Sequence, residues 1–128
     1  MRGGSFAVAL IALAVAGAFS GSTTAASAGA LSTRCAADVQ GPAYTVAGRT
    51  THRYAVEVQH VSCAFARPWV AKLVKQSRFQ RLHGPNGWTC LAVSKTRSRL
   101  ASAGVCGRGT FKLPTVPTTG FDWFPDLR

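Results

Sequence analysis

The clearest alternation of apolar and polar positions runs from Tyr54 to Val61. Tyr54, Val56 and Val58 fall on one side of an extended chain, and Ala55, Glu57 and Gln59 on the other, so the first set is expected to face a core. Ala43-Tyr44-Thr45-Val46-Ala47 also favours extended structure, and Gly48-Arg49-Thr50-Thr51 turns between the two, which predicts a hairpin. Ser62 then stands as an N-cap ahead of a helical pattern from Cys63 to Gln76. At 100° per residue, Phe65, Ala66, Trp69, Val70 and Leu73 share an arc of roughly 140°, while Arg67, Lys72, Lys75 and Arg78 occupy the opposite side. Pro68 interrupts this pattern: past the first turn a proline loses a backbone hydrogen bond at a cost of about 3 kcal/mol. The helix therefore either kinks there or begins near Arg67.

Beyond the helix, Leu82-His83-Gly84-Pro85-Asn86-Gly87 is dense in turn formers. Trp88 to Val93 reads as a strand, Ser94 to Ser102 as an exposed basic loop, and Val105-Cys106 and Thr110 to Leu113 as two further short strands. Pro114 to Arg128 is broken by prolines and carries Phe121, Trp123 and Phe124, the composition of an ordered coil that serves as a lid or a docking strip. The expected architecture is α+β: a small antiparallel sheet in the order β-β-α-β-β-β with one packed helix.

The first residues have a different character. Met1-Arg2-Gly3-Gly4-Ser5 leads into an apolar run from Phe6 to Phe19, followed by small residues through Ala26-Ser27-Ala28. This three-part pattern is that of a signal peptide, with cleavage expected after Ala28 or Ala30. The run is shorter than the roughly 20 residues a membrane-spanning helix needs, so no integral membrane segment is expected after cleavage. Residues 1–28 are thus read as leader and 29–128 as one small domain, with 114–128 as its tail, exported from the cell.

Export puts Cys35, Cys63, Cys90 and Cys106 in an oxidising compartment, where an even count in a short chain means disulfides. Their spacings lack the C-x-x-C pairs of zinc sites, so no metal and no cofactor are expected. Hairpin symmetry favours one of the three pairings. Tyr44 and Tyr54 flank the same centre as Cys35 and Cys63, and Cys90 and Cys106 straddle Ser98. Cys35 with Cys63 and Cys90 with Cys106 is the first choice; a crosslink from Cys63 into the second hairpin is the alternative.

Charge then narrows the function. The chain of 128 residues carries 15 Lys and Arg against 4 Asp and Glu, and only Arg2 belongs to the leader. Such a surplus attracts polyanions. The candidate anion-binding residues form two runs: Arg67, Lys72, Lys75, Arg78 and Arg81, then Lys95, Arg97, Arg99 and Arg108. Expected partners are an anionic polymer, lipid headgroups or an acidic protein. A second reading makes the loop from Ser94 to Ser102, closed by Cys90 and Cys106, an inhibitory loop offering Lys95, Arg97 or Arg99 to a trypsin-like protease. A third is a small basic ribonuclease using Glu57 and His60, but three positions apart on a strand these point to opposite faces. A non-enzymatic role is therefore expected.

Three motifs recur in one other context. Val61-Ser62-Cys63-Ala64-Phe65-Ala66-Arg67, Gly87-Trp88-Thr89-Cys90, and Cys106-Gly107-Arg108-Gly109 with Phe111 resemble a class of short exported bacterial proteins of uncharacterised function. The resemblance spans Tyr54 to Phe111 and implies a shared disulfide scaffold. It transfers no catalytic residue. Pro68 departs from the plain helical run that the class shows after its Ala-Arg.

Overall fold

A computed structural model describes residues 32–93, 98–115 and 117–128. The expected leader, with Ala28 and Ala30, lies outside the described residues, as do Lys95 and Arg97. The described elements are β1 (Thr33–Arg34), β2 (Val39–Val46), β3 (Arg49–Gln59), α1 (Cys63–Leu73), β4 (Trp88–Ala92), β5 (Gly104–Arg108) and β6 (Gly120–Pro125). They form one antiparallel sheet and one helix, an α+β fold, with the strands ordered β1-β3-β6-β5-β4. Strand β2 also pairs with β3, lying beside its first half while β1 lies beside its second.

The hairpin turn explains why β2 and β3 are longer than the sequence pattern suggests. Ala47 and Gly48 both take positive φ, 50° and 76°. Two consecutive left-handed residues make the two-residue turn whose twist matches that of paired strands. Pairing therefore continues to the turn itself, with Val46 opposite Arg49 and a 2.7 Å hydroxyl contact between Thr45 and Thr50. Farther along, the register shifts between Gln40 and Tyr44, a bulge that accommodates Pro42 within a strand.

Tyr54, Val56 and Val58 do face the core, and all three are buried. Helix α1 packs over them with Ala66, Val70 and Leu73, a narrower buried stripe than the predicted arc. Phe65 and Trp69 sit at its flanks, partly exposed. The helix begins at Cys63, where the Ser62 hydroxyl accepts a 3.0 Å bond from the Phe65 N–H, and it continues through Pro68. Pro68 and Ala64, whose carbonyl the proline cannot serve, are both exposed, so water can satisfy that carbonyl.

The last strand differs from the expectation. Thr110–Leu113 is not a strand: Gly109, at φ 84°, turns the chain out of β5. The segment expected to be coil holds β6 instead, between β3 and β5. Phe121 and Trp123 are buried on the helix-facing side, and the Trp123 indole N–H donates to the Ala101 carbonyl at 2.8 Å. The aromatic strip is thus neither lid nor docking patch, but the strand that joins the two halves of the sheet.

Both disulfides are those of the first-choice pairing. Cys35–Cys63 ties the exit of β1 to the start of α1, and Cys90–Cys106 crosses directly between paired positions of β4 and β5. No helix of the described residues is long and apolar enough to cross a membrane.

Candidate anion-binding surface

The two basic runs are far apart in sequence, and a short piece of backbone pairing brings one residue of each together, while Arg108 lies at a separate cleft. Ser77 forms an antiparallel bridge with Leu100. The Arg78 N–H donates to the Arg99 carbonyl at 2.8 Å, and the Ala101 N–H donates to the Gln76 carbonyl at 2.9 Å. The exit of α1 and the end of the 94–102 loop therefore run side by side. Gln76 anchors this segment from the other direction, accepting from the His83 N–H at 2.8 Å and donating to the His83 carbonyl at 3.2 Å. Arg78 and Arg99 thus lie on adjacent backbones, Arg78 and Arg81 share a cavity wall, and Lys72 and Lys75 precede them at the exit of α1; all are exposed except the half-buried Arg78.

Individual side chains have separate duties there. Lys72 sits 4.7 Å above the Trp69 ring, and the Arg78 guanidinium lies 4.6 Å from the centre of the Phe79 ring. Phe79 is itself 67% exposed. Cations over aromatic faces keep their charge available while their stems cover apolar surface. Arg67, like Arg108, stands apart from the other candidates. Its guanidinium donates to the carbonyls of Ala37 (3.1 Å) and Asp38 (3.3 Å), fastening α1 to the connection between β1 and β2. It serves the fold and stands apart from the other cations.

A cavity of about 420 Å³ opens beside this surface, along β4. Arg78, Gln80, Arg81 and Leu82 form one wall and Thr89–Ala92 the other. The approach of the two walls is set at Gly84, where an added Cβ would lie 2.2 Å from the Cys90 sulfur. A second cleft, about 360 Å³, lies between the start of α1 and the 85–88 turn. Phe65 and Trp88 meet there with ring centres 5.4 Å apart, and Arg108 reaches over Trp88 at 5.7 Å.

The carboxylates gather elsewhere. Asp126 accepts from Arg34 at 2.9 Å and from Arg128 at 3.2 Å, and Asp38 lies 3.7 Å from Arg34. The hydrogen bond from Arg128 holds Asp126 well below the usual carboxylate range, while burial, followed by the neighbouring Asp126, pushes Asp38 up. Glu57 and Asp122 are direct cross-strand neighbours on the face of the sheet away from α1. Burial, and secondarily the Glu57 charge, raises Asp122 to about 6, and its Oδ1 has no hydrogen-bond partner among the described residues. Of the four side-chain carboxylates, Glu57 lies on β3, Asp122 on β6, Asp126 directly after β6, and Asp38 in the connection between β1 and β2.

The ribonuclease candidates Glu57 and His60 make separate contacts, Glu57 opposite Asp122 and His60 with Thr118. His60 has left the alternation of β3 at φ 60°, and its Nδ1 lies 2.7 Å from the Thr118 carbonyl. His52 contacts the Gly41 carbonyl, and His83 is clasped by Gln76. The three histidines occupy three separate places. Among the described residues no group of three or more His, Cys, Asp or Glu could hold a metal ion.

Sequence reasoning found the cations but missed the cavity along β4 and the Phe65–Trp88 contact. Both depend on how the 74–87 segment folds back, and no local pattern encodes that return. Comparison of the chain with family models, curated proteins and solved structures found no match.

Proposed function

We propose that this is an exported, non-enzymatic binding protein that holds an anionic partner on the surface formed by Lys72, Lys75, Arg78, Arg81 and Arg99. The observation that carries the reading is the Ser77–Leu100 bridge, which sets Arg78 of the first run beside Arg99 of the second. The location of every side-chain carboxylate on β3, β6, their borders or the β1–β2 connection supports it, because none lies in the stretches 72–81 or 98–102 that carry these cations. Four cysteines closed into two disulfides support an oxidising compartment.

The test is binding to poly-L-glutamate across a salt series. Affinity falls steeply with rising salt if several cations engage the polymer, and the triple variant Lys72→Glu, Lys75→Glu, Arg78→Glu binds at least about tenfold more weakly. Salt-insensitive binding, or an unchanged triple variant, overturns the reading.

One observation favours the inhibitor as a second reading. The Cys90–Cys106 disulfide closes the loop that carries Lys95, Arg97 and Arg99, which lowers the entropy a binding loop would lose. Stoichiometric loss of trypsin activity, abolished by one substitution among these three residues, would favour it over the polyanion reading.

A further inference from the structure

The cavity along β4 has a feature that charge alone does not require: one of its walls is the free edge of a sheet. Strand β4 ends the order β1-β3-β6-β5-β4, and among the described residues no strand pairs with its outer side. The backbone direction of each residue follows from the pairing with β5. Cys90 and Cys106 are opposite each other with Cα atoms 4.1 Å apart, the close spacing of a pair that exchanges no hydrogen bonds. The flanking bonds agree, since the Val93 N–H donates to Ala103 and the Gly109 N–H to Gly87. Odd-numbered residues of this stretch therefore bond inward to β5, and Trp88, Cys90 and Ala92 direct their backbone groups outward. The outward Trp88 N–H is already used by the Pro85 carbonyl at 3.0 Å. Among the described residues the Trp88 carbonyl, both groups of Cys90 (a residue 5% exposed) and the Ala92 N–H have no backbone partner, and they form an array of donors and acceptors beside the cavity.

We infer that this edge takes an extended acidic peptide segment of a partner protein, added as a further strand to β4. The inference rests on the anionic-partner reading above and names the partner's chemistry. Backbone bonds to Cys90 and Ala92 supply the pairing. Side chains of an added strand alternate, so every second residue projects toward the wall that carries Arg78 and Arg81. The matching sequence has Asp or Glu at alternate positions. Charge complementarity selects this occupant over an apolar segment, since two arginines line the wall and the described cavity contains no carboxylate. The 82–84 segment, held against the Cys90 sulfur at Gly84, keeps the opposing wall in place, so the groove exists before the peptide arrives.

The experiment uses the full disulfide-bonded protein and the capped peptide Glu-Thr-Glu-Thr-Glu-Thr. Two further versions carry N-methyl groups, one on the odd residues and one on the even residues. All three have the same charge. Strand addition requires only one of the two sets of peptide N–H groups, so one methylated version binds about tenfold or more weakly and the other binds like the parent. Binding by the parent also slows hydrogen exchange of the Cys90 and Ala92 amides, and Arg81→Glu weakens it. Equal binding of all three peptides overturns strand addition and leaves the polyanion reading intact. If oligothymidylate binds with the same salt dependence while the peptides do not, the partner is a nucleic acid and the peptide inference fails. If neither the peptides nor poly-L-glutamate binds, both readings fall, and the arginines serve only to keep the edge from pairing with other chains.

Discussion

The two ends of the sheet handle charge in opposite ways. At the β1–β3–β6 end, charged groups are turned into structure: Arg34 reaches Asp38 and Asp126, Arg128 closes on Asp126, and Glu57 and Asp122 are set side by side. At the β4 end, charges stand on the rim of a cavity, and no carboxylate is set against them. A chain with 15 basic and 4 acidic side chains has few opportunities to neutralise itself. Asp38 and Asp126 pair with cations at one end, Glu57 and Asp122 face each other there, and the other end is left cationic. Net charge alone therefore does not say which cations the fold itself engages; Arg34 and Arg67 count toward the surplus but are occupied within the fold.

Each end has its own disulfide, and their removal should have the largest effects. On chain-entropy grounds, replacing Cys35 and Cys63 by Ala costs about 3.5 kcal/mol and replacing Cys90 and Cys106 about 3 kcal/mol, because the first closes the longer loop. Urea denaturation of both double variants checks the order. A larger loss at the β4 end would mean that this end depends on its crosslink more than loop length implies.

Next in size is the effect of pH at the carboxylate end. Asp122 stands at about 6 in the folded protein against an ordinary 3.8, so the folded state binds the extra proton between those values. Its contribution therefore makes stability rise as pH falls from 7 toward 4. Asp126 acts in the other direction and lower down: its stabilisation is present above the ordinary carboxylate range and is lost as acid protonates it. Asp122→Asn should raise stability at pH 7 by about 1 kcal/mol, allowing for solvent screening, and should flatten the slope between pH 4 and 6. Thermal denaturation across that range measures both.

The smallest change in stability is expected at the β4 end, where binding should move instead. Arg81→Glu alters an exposed residue and should leave stability within about 0.5 kcal/mol. The same variant should bind poly-L-glutamate several-fold more weakly, with a shallower dependence on salt. If Arg81→Glu destabilised the protein as strongly as a lost crosslink, the division of labour between the two ends would fail.

Much of this fold was legible in the chain. The alternation at Tyr54, Val56 and Val58, the Ser62 cap and the cysteine symmetry are local signals, and each corresponds to an observed feature. Strand β6 was not legible. Gly120–Pro125 is short, follows a proline-rich stretch and ends on proline, so its own composition argues for coil. It is a strand because β3 and β5 both pair with it, which is information held elsewhere in the chain. Thr110–Leu113 shows the reverse, with suitable local composition and no neighbour to pair with. The candidate surface divides similarly. The cations could be read one by one, whereas their meeting across Ser77 and Leu100 depends on tertiary pairing.

The place of β6 also sets a limit on when the molecule can take shape. It follows β3 and β5 in the chain, yet it lies between them in the sheet. Until Pro125 emerges, the growing polypeptide has a β1–β3 half and a β4–β5 hairpin with nothing to join them into one sheet.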